Sequence, residues 1–160
     1  MSKVTFRKAN LSDINLYFNW LNDPEVRAKS FNSSIIKWED HVKWFTDKIS
    51  NPDYYFYLFQ NQNLDYIGQV RIQKVKDNNS VIGVSVCSEQ RGMGYGSIIL
   101  IESCKDFLKL NNSFIINAYI KNNNISSKNI FEKAGFSFLE NINYYNFNTD
   151  HYVLYADRKL

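Results

Sequence analysis

Apolar and polar positions alternate from Val4 to Lys8, which predicts a first strand. Ser12 then stands where an N-cap belongs, ahead of Ile14, Tyr17, Phe18 and Leu21, spaced i, i+3, i+4, i+7 as on one helix face. Asn22-Asp23-Pro24 ends that helix, and Asp23 before a proline suits the start of a short second helical turn. A polar loop from Lys29 to Ile36 leads to a helix over Lys37 to Ser50. Trp38, His41, Val42, Phe45 and Ile49 share one side of it, and Trp44 falls off that side. Asn51-Pro52-Asp53 stops it. Tyr54 to Gln60 and Leu64 to Lys76 read as strands joined by an Asn-rich turn, and the run Tyr54-Tyr55-Phe56-Tyr57 fits a strand covered on both faces.

The stretch from Val81 to Leu100, VIGVSVCSEQRGMGYGSIIL, organises the rest. Its β-branched residues predict a strand, Ser88-Glu89-Gln90 breaks it, and an apolar-periodic helix from Tyr95 to Leu110 follows three glycines. Beyond lie a strand from Ser113 to Ile120, a short helix from Ile125 to Lys133, and strands from Phe136 to Asn143 and from His151 to Arg158. The order βααβββαβαββ predicts an α/β domain over residues 1–160, a mixed sheet with helices on both faces.

Composition narrows the partners. Net charge is +3, too mild to argue for nucleic acid, and no apolar run reaches membrane-spanning length. The polar opening MSKVTFRKAN does not resemble a signal peptide. Cys87 and Cys104 lack metal or CxxC spacing, so reduced thiols in a cytoplasmic protein are the expectation, with no metal site. A homodimer stays open.

The glycines carry the chemistry. Gly92, Gly94 and Gly96 let the backbone bend and a ligand approach its N–H groups, which stand at a helix N-terminus where an anion is favoured. Arg91 adds a positive charge at the same place. A Walker A loop would need a Lys before Ser97, and the spacing is not that of a dinucleotide fingerprint. Arg91-Gly92-Met93-Gly94-Tyr95-Gly96 does match the acetyl-coenzyme A loop (Q/R)-x-x-G-x-(G/A) of the GNAT acetyltransferases at every fixed position. Asn124 to Phe136, NISSKNIFEKAGF, is similar to a second GNAT signature that follows the first at the family's spacing.

That resemblance implies a mostly antiparallel sheet splayed at the cofactor strand, and acetyl-CoA as acetyl donor. It implicates Val84, Val86, Met93, Tyr95, Ser97, Asn124, Ser127, Asn129 and Phe131 in holding the cofactor, beside Arg91 and the glycines. A narrower likeness, in RKANLSD, WLNDPEVRAKSFNSS, WEDHVKWF and IGQVRI, is to acetyltransferases of nucleotide-linked amino sugars in surface glycan synthesis, of the pseudaminic-acid pathway type. It points to Arg27, Ser30, Phe31, His41, Trp44, Gln69 and Arg71 as acceptor contacts.

Acetyl transfer to an amine needs a polarised carbonyl, a neutral amine and a tolerated thiolate. A strand amide beside the cofactor, Val86, is the expected polarising donor, and the strand end from Val84 to Ser88 would pair with the pantetheine arm. His41 is a candidate base and equally a packed core histidine, with Glu89 and Ser85 as weaker candidates. Phe131 stands where many GNAT enzymes have a Tyr acid, so Tyr119, Ser127 or solvent must protonate the thiolate. Cys87 shows no adjacent base, so a covalent route is disfavoured. Tyr144 and Tyr145 either rim the acceptor site or fill a turn. An enzyme for a protein N-terminus or an amine metabolite, and a non-catalytic acyl-coenzyme A-binding module, remain as alternatives.

Overall fold

The computed structural model describes residues 3–156, so the end of the last strand expected at Arg158 lies outside the described residues. Seven strands form one sheet in the order β1-β2-β3-β4-β5-β7-β6: β1 (Thr5–Lys8), β2 (Tyr54–Gln60), β3 (Tyr66–Lys74), β4 (Asn79–Val86), β5 (Ile115–Lys121), β6 (Ser137–Tyr144) and β7 (Phe147–Tyr155). Every pairing is antiparallel except β4 with β5. The helices are α1 (Ile14–Leu21), α2 (Pro24–Lys29), α3 (Trp38–Ile49), α4 (Tyr95–Leu110) and α5 (Ile125–Lys133).

Two apolar clusters hold the layers together, and they are unequal. On one face α4 and α5 press Ile99, Leu100, Phe107 and Phe131 against Tyr57, Val70, Ile72, Ile82, Ile116 and Leu154. On the other, α1 and α3 cover mainly β2, with Tyr17, Phe45, Phe56 and Leu58 as the buried set. Farther along that second face, Phe31 after α2 packs on Tyr144 and Phe147 of the β6–β7 hairpin. Between these two covers Val81, Gly83 and Ser85 of β4 and Tyr119 of β5 remain half-buried, and they floor a trough.

The last strand begins at Phe147 rather than His151. Tyr145 (φ 49°) and Asn146 (φ 66°) form a two-residue hairpin turn with both central residues at positive φ, so pairing resumes at once. The polar run Asn148-Thr149-Asp150 reads as a turn in sequence, yet it is strand. Asp150 has its charge met by Lys128 at 3.0 Å and accepts from Asn141 at 2.9 Å.

Candidate active site

The sheet opens at β4. Only Asn79, Ser80 and Val81 pair with β5, opposite Ile115, Ile116 and Asn117, and the rest of β4 diverges from it. The Cys87 amide donates to the Ile67 carbonyl on β3, so alternation along the strand turns the Val84 and Val86 amides the other way, into the splay. Their side chains pack on the main core, so both valines offer backbone to a ligand there. Gly68 sustains the geometry from behind: a Cβ there would meet the Ser85 carbonyl oxygen at 2.2 Å. Nothing in the sequence beyond its presence in IGQVRI singled that glycine out.

The turn after β4 is built for an anion. Gly92 (φ +76°) and Gly94 (φ +81°) take left-handed backbone, and a Cβ on either would meet nothing within 4 Å. Gly94 caps α4 without any side-chain hydrogen bond, so the first amides of a sixteen-residue helix are turned to open space at its positive end. Met93 is exposed, Ser97 is half-buried, and Tyr95 and Gly96 are buried beneath the turn. This cradle, with the splayed β4 edge beside it, fits the pyrophosphate and pantetheine of coenzyme A.

Arg91 does not add a spare charge there. Its guanidinium reaches Asp23 at 2.8 Å and Glu25 at 3.1 Å on α2, while Nε donates to the Val86 carbonyl at 3.1 Å. The expected anion contact is thus a tether that joins the turn, the end of β4 and α2. Asn124 accepts from the Ser127 amide at 3.2 Å as the N-cap of α5, which fixes that helix where its first turn faces the splay side of β5. Asn129 is exposed, and Phe131 is 3% exposed against Phe136 in the core.

The residues expected at the acceptor divide sharply. Arg27 donates to the carbonyls of Leu21, Asn32 and Ser34 and to the Ser30 hydroxyl, which itself donates to the Val26 carbonyl. Arg27 and Ser30 therefore shape the loop after α2 instead of facing a ligand. His41 is a core residue, 1% exposed, packed against Phe18, Trp38, Trp44 and Phe45. Its Nε2 meets the Ile14 carbonyl at 2.8 Å, and burial lowers its pKa below the ordinary histidine value. It does not open on a cleft, so it does not serve as the base.

Trp44, Gln69 and Arg71 lie along one side of the trough, and Phe31 lies at the other against Tyr144 and Phe147. Gln69 and Arg71 lie on the face of β3 opposite the main core, paired in register with Ser85 and Gly83 of β4. The Gln69 amide donates to the Ser85 hydroxyl at 3.0 Å. The Arg71 guanidinium carbon lies 5.3 Å from the centre of the Trp44 ring. Cys87 is buried and donates to the Tyr66 carbonyl, and burial raises its pKa, the reverse of an activated thiol.

The far wall of the trough holds Tyr119 and Tyr144, which the sequence singled out, and His151 and Asn117, which it did not. The Tyr119 ring stacks between Tyr144 at 4.4 Å and His151 at 4.6 Å. His151 Nε2 meets Asn117 Oδ1 at 2.8 Å, and the Asn117 amide donates to Asn79 and to the Ser80 carbonyl at 3.0 Å each. This polar bolt crosses from β7 through β5 to β4 at the point where the splay begins. Its hydrogen bonds join strands 34 to 38 residues apart along the chain and follow no local pattern.

Similarity to known proteins agrees with this cleft. Residues 3–137 match the family model described as an acetyltransferase (GNAT) domain. An uncharacterised protein of Methanocaldococcus jannaschii is 25% identical over 139 residues, covering 84% of this chain, which spans only 28% of that relative's length. The fold is shared with a spermidine N-acetyltransferase from Vibrio cholerae solved with CoA and spermine (TM-score 0.83, 13% identity, 94% of each chain). It is shared too with the aminoglycoside acetyltransferase AAC(6')-Ib solved with coenzyme A (TM-score 0.78, 16% identity, 96% of this chain and 95% of that one). The chain belongs to the GNAT acetyltransferase family.

Proposed function

We propose that the acceptor is the primary amine of a nucleotide-linked amino sugar, of the kind used in surface glycan synthesis. The observation that carries this reading is the chemistry of the trough. On that face β3, β4, β5 and β7 present Gln69, Arg71, Ser85, Asn117, Tyr119, Thr149 and His151, none of them a carboxylate, and Glu140 of the outer strand β6 reaches His151 Nδ1 at 3.4 Å. Aromatic rings with amide and hydroxyl groups suit the apolar faces and hydroxyls of a sugar and the flat face of a nucleobase. A polyamine or an aminoglycoside carries several positive charges and would meet the Arg71 guanidinium there, with Glu140 at the β6 edge as the opposite charge beside His151. The solved relatives that act on such cations share the fold at low identity, which leaves the acceptor of this chain to its own residues.

Bound acetyl-CoA would supply the activated acetyl thioester. The Gly92–Ser97 turn and the Val84 and Val86 amides are the groups that would hold it. The Val86 amide is the donor placed to polarise a carbonyl oxygen in the splay. His41 is shut in the core and Phe131 has no proton to give, so neither is the base or acid, and the backbone of β4 and the glycine turn contributes orientation of the thioester.

Initial rates with acetyl-CoA test the acceptor. A UDP-linked 4-amino-4,6-dideoxy sugar should exceed the free amino sugar, spermidine, kanamycin and an N-terminal peptide in kcat/KM. Best turnover on spermidine or the peptide would overturn the sugar reading and leave the acetyltransferase assignment intact.

A further inference from the structure

Four arginines lie among the described residues, and three are spent. Arg7 is locked to Asp13 by paired bonds of 2.8 Å, Arg27 is saturated by carbonyls, and Arg91 is held by Asp23 and Glu25. Arg71 alone has no hydrogen bond and no ion pair among the described residues. It is half-buried, stacked on Trp44, and lies on the trough face of the strand next to β4. A guanidinium withdrawn from water without an anion is an unfavourable arrangement, and sites that bind anions accept that cost until the ligand arrives. Burial accordingly lowers the Arg71 pKa.

The surroundings complete a seat. Gly83 faces Arg71 across the β3–β4 pair, and a Cβ there would come 3.8 Å from an Arg71 terminal nitrogen, so the guanidinium reaches over the floor of β4. Gly83 is two residues beyond Val81, where β4 last pairs with β5. Ser85, the next residue on that face, accepts from Gln69, which leaves its own O–H to donate outward. Two donor groups therefore lie on one face of the β3–β4 pair beside the splay, over a floor that has no side chain at Gly83.

We propose that Arg71, with the Ser85 hydroxyl and the bare floor at Gly83, is the seat for an anionic group of the acceptor. On the nucleotide-sugar reading, on which this assignment of the anion rests, that group is the phosphate attached to the sugar. The seat makes Arg71 the residue that separates anionic amine acceptors from cationic ones.

Arg71→Gln, saturated with acetyl-CoA, tests this against the wild-type protein. The acceptors are the UDP-linked amino sugar, the free amino sugar, spermidine and a panel of free amino acids. Arg71→Gln should lower kcat/KM for the phosphate-bearing acceptor roughly ten- to a hundredfold, as loss of a charged hydrogen-bond donor does. The preference for the phosphate-bearing acceptor over the free amino sugar should collapse while the affinity for CoA holds, and UDP should raise the melting temperature of the wild-type protein only. Gly83→Val, which fills the floor and leaves Arg71 in place, should reproduce the loss, so an unstable Arg71 variant does not decide the matter. Equal acceptor preference in folded Arg71→Gln and wild type overturns the seat while leaving the sugar reading standing. Turnover confined to an amino acid, and lost in Arg71→Gln, keeps the seat with a carboxylate in it and overturns the sugar reading.

Discussion

The turn after β4 and the trough beneath α3 meet at one strand, but one is made of backbone and the other of side chains. In the turn, the groups offered to a ligand are the amides of Gly92 to Ser97, and glycines hold them at positive φ with open space in front. In the trough, the offered groups are the Arg71 guanidinium, the Ser85 hydroxyl and the rings of Trp44 and Tyr119, drawn from β3, β4, α3 and β5. A backbone site recognises a part common to many reactions and tolerates change around it. A side-chain site distinguishes one acceptor from another, and can be rewritten residue by residue.

The largest effect should come from filling the backbone site. Gly94→Val places a β-branched side chain at φ +81°, which costs about 1–2 kcal/mol of local strain and puts methyl groups where the pyrophosphate would lie. Calorimetric titration should show CoA binding lost in a protein that still melts cooperatively. Retained affinity would make the glycine turn a structural device alone.

A smaller effect separates a tether from a ligand grip at Arg91. If its charge held the cofactor, Asp23→Ala would leave Arg91 with Glu25 as its one remaining carboxylate and tighten CoA binding. The geometry predicts the opposite: Asp23→Ala and Arg91→Ala should each weaken CoA by loosening α2 from the turn, and the double variant should be no worse than either single one. Asp23→Ala also removes the cap on Glu25 and Val26, at about 1 kcal/mol of stability. Equilibrium titration of the three variants checks the order.

This contrast also explains what could be read from the chain in advance. The glycine turn is local, so Arg91 to Gly96 spells it out, and the order of strands and helices follows from period and punctuation. The acceptor side depends on which side chains end up unpaired, and that is a tertiary property. Arg27 and Arg71 look alike in sequence. One lies in a loop rich in free carbonyls and is consumed by them, while the other lies on a strand whose backbone is already paired. His41 sits on the apolar side of its helix by spacing alone, and the Ile14 carbonyl that meets its Nε2 comes from another element 27 residues away. The Asn117–His151 bolt joins strands that only the sheet order brings together.

The separation of the two sites can be measured directly by nitrogen-15 NMR titration of the wild-type protein. CoA alone should shift the amides of Val84, Val86, Gly92, Gly94, Tyr95 and Gly96 and leave the Arg71 Nε–H and the Trp44 indole signals in place. Adding the UDP-linked amino sugar to the CoA complex should then move Arg71 and Trp44. Movement of Arg71 and Trp44 by CoA itself, or an unresponsive glycine turn, would contradict the account.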